Sequence, residues 1–423
     1  MTKRGLLQPL RHRRFRLLLA GQAVSAVGDW LDLLGLVVLV LYVWNLGPGA
    51  MASVVVVSAL PWLLAAPVAG VLADRLPARA VLIGCDLGRA AVVLGYLLAP
   101  DLAVLLVLIA AKNTLSALFA PAEQAAVKRV VPEEDLLQAI SATTFVSQAA
   151  KIAGPVLGGV LVGAYGPQVV FVCDAVTFVL SALVLTRLPA IRSAGGERPE
   201  RTSFLTELTA GFVHIRRSSL LMAAIGAMTA TTFLIFVYDV LSPLALKELG
   251  AAPGLLGVVM AGVGAGTVVG ALLVGRVGDA VRPLTLMGLG QAGIGVAVAS
   301  LGLLLLTGAR PWAVLLVAVG ALTGLSSAGF MIAFPYVLQT ATPDELVGRV
   351  SATANAGPTV VQLAAPPLGA LLAVHLGVGA VFTAAGTALA LLGLGLMALR
   401  APAPARPEAV AHAGDGRHPV PPE

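Results

Sequence analysis

Apolar residues dominate the chain in long blocks, each closed by a short cluster of charge, proline or glycine. Twelve blocks are long enough to cross a bilayer as helices, which takes about 20 residues: 17–43, 51–73, 80–99, 102–126, 137–163, 168–186, 220–246, 254–275, 284–306, 312–337, 349–375 and 378–399. None shows the in-out alternation of a transmembrane barrel strand. The pattern predicts an all-α polytopic membrane protein. The first block follows the basic residues Lys3, Arg4, Arg11, Arg13, Arg14 and Arg16, as the core of a signal peptide would. It is too long for that and holds Asp29 and Asp32, so a retained first helix is expected.

Composition agrees with a membrane protein. Of 423 residues, 58% are hydrophobic and 11% charged, against about 45–50% and 25% in soluble domains. No water-soluble fold could cover such a chain with polar surface. Charge then sets orientation. Of the 27 Lys and Arg, only Lys247 and Arg310 fall on the side away from the termini, and Arg89, Lys112 and Lys151 lie within blocks; the other 22 share the termini's side. Basic loops stay cytoplasmic, so both termini of a multi-pass cell-membrane protein are expected there. The net charge of +6 thus reports topology and not nucleic-acid binding, which needs a soluble basic face. Cys85 and Cys173 fall inside blocks and read as small packing residues, not as a disulfide or metal pair.

The longest polar interruption has six blocks on either side. It divides the chain into a six-helix lobe (1–186), a cytoplasmic linker (187–219), a second six-helix lobe (220–400) and a Pro/Ala-rich tail (401–423) expected to be disordered. In the linker Phe204, Leu205, Leu208, Phe212 and Ile215 recur at helical spacing behind Thr202 and Ser203, predicting a short surface helix. The lobes echo one another. VVPEEDLLQAISAT (130–143) matches ATPDELVGRVSAT (341–353), and GPVLGGVLVGAYG (154–166) matches APPLGALLAVHLG (365–377), both at a shift of 211. GVLADRLPAR (70–79) returns as GRVGDAVRP (275–283) at a shift of 205. Duplicated lobes predict a pseudo-twofold axis along the membrane normal, with a substrate held between lobes that rock around it.

These features resemble the major facilitator superfamily over residues 10–400. GVLADRLPAR is similar to the family's signature loop between its second and third helices, with Gly70, Asp74, Arg75 and Arg79 in matching positions. The second copy keeps Gly275, Asp279 and Arg282 but lacks the Arg after the Asp. Gly154, Pro155, Gly158 and Gly159 resemble the end of the Gly-Pro-x-x-Gly-Gly helix-bend motif of exporters, with Ala150 where a further glycine is expected. The opening LRHRRFRLLLAGQAVSAVGDW (10–30) is similar to the branch that contains macrolide, enterobactin and multidrug exporters. The resemblance implies a monomeric secondary transporter that expels amphipathic small molecules by alternating access, driven by a proton gradient without cofactor or metal. It also implies a conformational switch in which Asp74 engages a helix N-terminus of the other lobe, a contact worth about 0.3–1 kcal/mol.

Ionisable groups inside spans are costly and mark function. Gln22, Ser25, Asp29 and Asp32 step by 3, 4 and 3 and so share one helical face, expected to look into the central cavity. Asp29 leads as proton-coupling carboxylate, the alternative being permanent pairing with a base. Lys112 is suited to neutralise Asp29 or Asp32, and Asp239 is a further coupling candidate or an interfacial acid. Asp86 and Arg89 are expected to pair with each other or with the signature loop, and Glu123 to join Arg75 or Arg79 in the switch. Asp174 reads as a solvated carboxylate near the outer surface. Gln22, Ser25, Gln148, Lys151, Phe236, Phe330, Phe334, Asn355 and Gln362 are candidate substrate contacts; polar groups among apolar walls suit an amphipathic organic molecule, while an aromatic taken alone is more often packing or lipid-facing.

Other classes fit less well. The chain has no Gly-x-Ser-x-Gly elbow, His-Glu-x-x-His or Walker A sequence. Tyr238-Asp239 and Gly28-Asp29 bring intramembrane aspartyl proteases to mind, but in reversed order and without Gly-x-Gly-Asp. A nutrient importer working by proton symport is the closer rival.

Overall fold

The computed structural model describes residues 8–64, 77–189, 212, 215–216, 218–277, 281–343 and 346–399. Its helices are α1 (Arg13–Val38, extended by a π-helical turn Leu39–Val43), α2 (Pro48–Leu64), α3 (Ala78–Tyr96), α4 (Leu102–Val130), α5 (Leu136–Tyr165), α6 (Pro167–Leu185), α7 (Ser219–Asp239), α8 (Ser242–Glu248), α9 (Pro253–Val277), α10 (Pro283–Thr307), α11 (Ala313–Thr340), α12 (Val347–Leu376) and α13 (Val378–Ala398). Among the described residues nine helices are long and apolar enough to cross a membrane, and Pro48–Trp62 and Val360–Leu376 are shorter apolar stretches. The expected block 80–99 is less apolar than its neighbours, because α3 carries Arg79, Asp86 and Arg89.

Local chemistry sets the ends. Asp101 accepts a hydrogen bond from the Val104 N–H (2.9 Å) at the start of α4, and the Ser218 hydroxyl accepts one from Leu221 (3.3 Å) at the start of α7, both N-caps. The block expected to run unbroken over 220–246 is two helices: α7 stops at Asp239 and α8 restarts with Pro243 in its first turn, where a missing N–H costs nothing. Gly166 and Gly377 turn the chain from α5 into α6 and from α12 into α13 with φ of +84° and +85°, a region that a Cβ disfavours.

The helices form two bundles, and each pairing in the first recurs in the second. α1 packs on α5 and α6 as α7 packs on α12 and α13; α3 packs on α4 and α6 as α10 packs on α11 and α13; α2 packs on α4 as α9 packs on α11. The bundles meet along two seams, α5 on α9 and α2 on α12, which a twofold axis between the bundles would exchange. The α5–α9 seam is backbone against backbone: a Cβ on Gly257 would lie 2.2 Å from the Pro155 carbonyl oxygen, and one on Gly159 would lie 2.8 Å from that of Gly254. Gly154 and Gly158 face the other way, against Trp30, Leu31 and Leu34 of α1. α5 runs on through Pro155 as one helix, so the four motif residues form two packing faces.

The cores show which end is closed. At the end away from the termini one apolar cluster joins both bundles, from Leu31, Leu41 and Phe171 to Leu241, Leu256 and Phe382. At the termini's end the clusters are separate: Phe15, Leu82, Ala126 and Leu185 in the first bundle, Leu221, Met287, Val337 and Leu396 in the second. Among the described residues, then, the bundles share a core at one end and have separate cores at the other. Of the expected linker helix only Phe212, Ile215 and Arg216 are described, Ile215 packing into the second core. Gly70, Asp74, Arg75, Asp279 and the tail lie outside the described residues.

Candidate functional site

Four helices of the first bundle converge their charges at mid-depth. The Lys112 ammonium on α4 lies 2.7 Å from Asp29 Oδ1 and 2.8 Å from Asp32 Oδ2, both on α1. On α3, Arg89 pairs with Asp86 one turn away and lies 3.9 Å from Asp29 Oδ2. Its guanidinium is held between the rings of Phe119 and Phe178, 4.3 Å from each centroid, a cation–π sandwich that orients it. Asp29 thus stands between two cations. The expected pairing of Lys112 with Asp29 or Asp32 is realised with both, and Arg89 turns to Asp86 and Asp29.

Asp29 is also where the cluster meets open space. A cavity of about 300 Å³ is lined by Gln22, Ser25 and Asp29 of α1, Trp62 of α2, Arg89 of α3, Asn113, Ser116, Phe119 and Glu123 of α4, and Ser147 of α5. Its walls are partly tied together: the Gln22 amide donates to the Ser147 hydroxyl at 3.3 Å and the Trp62 indole N–H to Asn113 at 3.4 Å. Two aromatic rings, amides, hydroxyls and two carboxyls make an amphipathic lining. Asp32 does not line it; 2% exposed, it lies behind Lys112.

Asp174 overturns its expectation. It is 0% exposed, on the inward stripe Phe171–Asp174–Phe178 of α6. α1 makes room with Gly28, where a Cβ would lie 2.2 Å from Asp174 Oδ1. An acid two turns into a helix reads as interfacial from position alone; the buried aromatics at i−3 and i+4 were the signal of its true face. Tyr96, packed edge-on to Phe171 with centroids 5.4 Å apart, also went unremarked in the sequence. Five carboxyls (Asp29, Asp32, Asp86, Asp174 and Glu123) here share two cations. Asp32 Oδ1, Asp86 Oδ2, Asp174 Oδ2 and Glu123 Oε1 are buried without a hydrogen-bond partner.

The remaining candidates are spread more widely. Glu123 shares the cavity wall with Arg89 and is not paired with Arg79, whose guanidinium instead bonds the Thr186 carbonyl at the end of α6. Arg282 is the residue before α10. Gln148 and Lys151 are exposed on α5, the Lys151 ammonium 5.5 Å from the Trp30 ring. Asp239 ends α7, within electrostatic reach of Lys151 across the bundle interface. Phe236 is half-buried against the shared core, and Gln362 is exposed on α12. Phe330 and Phe334, expected on a cavity wall, are each 6% exposed inside the second bundle's core; helical spacing had not distinguished a cavity face from a packing face. The Asn355 side chain lies outside the described residues. In the second bundle the buried polar contact is neutral, Gln291 donating to the Thr231 hydroxyl at 2.7 Å.

Residues 4–415 match the family described as "Transmembrane secretion effector". An uncharacterized MFS-type transporter, YfiS of Bacillus subtilis (strain 168), is 30% identical over 395 residues, covering 89% of this chain and 91% of that one. The enterobactin exporter EntS of Escherichia coli O1:K1 / APEC is 28% identical over 289 residues, 67% of each chain. Among solved structures, a mutant form of the peptide transporter POT superposes with TM-score 0.71 at 16% identity, covering 93% of this chain and 95% of that one. A bacterial homolog of the human lysosomal transporter Spinster gives 0.65 at 14%, covering 91% and 94%.

Proposed function

The chain belongs to the transmembrane secretion effector family of major facilitator transporters, and from that premise we propose that it is a proton-coupled exporter of amphipathic small molecules, with the cluster around Lys112 as its coupling site. The family's members are secondary transporters and not enzymes. One relative is an enterobactin exporter, which supports the outward direction.

The single observation that carries the reading is the position of Asp29. Of the carboxyls bonded to Lys112, it alone also lines the cavity. A surplus of acids over bases in a bilayer is expensive, and protons remove it. Asp29 bound to Lys112 leaves the cavity free for a substrate; Asp29 carrying a proton releases Lys112 to Asp32 and changes the charge that a substrate meets. Proton and substrate then compete for one wall, which is what antiport requires. The basic loops put the termini in the cytoplasm, so the open end faces the cytoplasm, where an exported molecule is loaded. The proton returns from outside once the bundles have rocked about their two seams. No cofactor enters this scheme, and a single copy of the chain suffices for it.

Everted vesicles test the reading. With the vesicle lumen made acid relative to the medium, the outward run of protons should drive accumulation of an amphipathic dye or macrolide, and Asp29→Asn should abolish that drive while retaining substrate binding. Unchanged active transport by Asp29→Asn removes its coupling role. Failure of the gradient to drive accumulation, together with net uptake by whole cells, makes the protein an importer.

A further inference from the structure

The internal duplication supplies a control for every buried charge. Counted from the paired turns Gly166 and Gly377, Asp174 corresponds to Ala385 and Thr177 to Ala388, and the register is confirmed by Phe171 meeting Phe382. Both phenylalanines pack edge-on to a tyrosine with centroids 5.4 Å apart, though from non-equivalent helices: Tyr96 of α3 in the first bundle and Tyr238 of α7 in the second. Counted from Pro132 and Pro343, Lys112 corresponds to Thr323; counted from Gly70 and Gly275, Asp86 and Arg89 correspond to Gln291 and Ile294. Ala385 is buried in the second bundle's part of the shared core. The same helix position in the same helix pairing is thus satisfied by a methyl group, so the fold does not require an acid at Asp174.

A buried acid that the fold does not need calls for another reason. Asp174 has one oxygen near the Thr177 hydroxyl (3.3 Å) and the other, Oδ2, buried with no partner. The Tyr96 hydroxyl and Asp32 Oδ1 are buried without a partner too. The charges and titratable groups facing Asp174 are Asp29 and Asp32 on α1, Arg89 and Tyr96 on α3 and Lys112 on α4. Unpaired acceptors gathered behind an ammonium, out of contact with the cavity, are what an inner proton site looks like.

We propose that Asp174 is a second proton-carrying carboxyl of the transport cycle, linked to Asp29 through Lys112. The inference rests on the proton-coupled reading above. A proton loaded from the outer side is held as an O–H on Asp174; substrate binding breaks that bond and sends the proton to the cytoplasmic solution by way of Asp29, and Lys112 shifts its hydrogen bonds between Asp29 and Asp32 as the charge on either side of it changes.

Two measurements on the purified full-length chain test this, with a fluorescent amphipathic dye or a macrolide as probe. The first counts protons released on adding the probe to protein in weakly buffered detergent. Asp174→Asn should release fewer protons than the wild type while binding the probe equally well, and Asp174→Glu should restore the count. The second is infrared difference spectroscopy on probe binding, in which a band of a buried protonated carboxylic acid should vanish in Asp174→Asn. An unchanged proton count with an unchanged band overturns the role of Asp174 and leaves Asp29 standing. A wild type that releases no proton overturns the proton-coupled reading itself. Asp174→Ala, which installs the residue of the second bundle, checks folding by yield and by size-exclusion profile; its collapse would make Asp174 structural and overturn the proposal.

Discussion

Replacing Lys247 by Met should loosen the sealed end. Lys247 sits on α8 in the second bundle, and its ammonium bonds the Leu41 carbonyl and, at 2.7 Å, Asn45 Oδ1 of the first. It also stands 5.4 Å from the Tyr42 ring, whose hydroxyl donates to the Ala251 carbonyl at 3.0 Å. The ammonium thus meets the negative end of α1 where its π-helical turn stops. Hydrogen bonds to a charged group contribute about 1.5–3 kcal/mol when buried. Lys247 is half-exposed, so solvent screening reduces this to about 1–2 kcal/mol. Met keeps the apolar stem and removes only these contacts. Since 1.4 kcal/mol is about tenfold in a population, the unsealed state should gain roughly 5- to 30-fold. A cysteine at Leu249, which is 4% exposed in the shared core, reports that state in a background with Cys85 and Cys173 changed to Ser. Its alkylation by an impermeant maleimide follows the open population when opening is fast relative to labelling. The rate should rise by that factor in Lys247→Met. A change of less than about twofold would refute the assignment of these bonds as a seal.

Gly257→Ala should move the same reporter in the same direction. Its Cβ would lie 2.2 Å from the Pro155 carbonyl oxygen, and overpacking of about 1–3 kcal/mol acts only where the α5–α9 seam is closed. Arg89→Met strands Asp86, which is 0% exposed, so thermal unfolding in detergent should show about 3–5 kcal/mol of destabilisation; the double change with Asp86→Asn should recover part of it. Gln291→Leu removes one neutral buried bond and should cost only about 0.6 kcal/mol, with gradient-driven transport at the wild-type level.

Much of the fold was legible because a bilayer demands it: the apolar blocks are helices, and the matches at shifts of 205 and 211 are repeated helix pairings. Asp29, Asp32 and Lys112 were legible because acids and a base inside such blocks need one another. The break after Asp239 was not, because Tyr238, Val240 and Leu241 stay apolar through it and only Pro243 marks the restart. Asp174 was misread, and Phe334 was left between cavity wall and core, for one shared reason. Periodicity finds the face of a helix, but whether that face meets a cavity, a core or lipid depends on partners far away in the chain.

Those partners explain why the charge is one-sided. The two seams exchange under the pseudo-twofold, so rocking strains α5–α9 and α2–α12 alike and neither bundle can move alone. The counterparts of Asp86, Arg89, Lys112 and Asp174 are Gln291, Ile294, Thr323 and Ala385, which hold no charge to change. On the proton-coupled reading, a symmetric hinge with its trigger in one bundle needs protonation in that bundle alone to bias both seams. A second set of charges would add its own desolvation cost in the bilayer without adding a motion that the first set does not already drive.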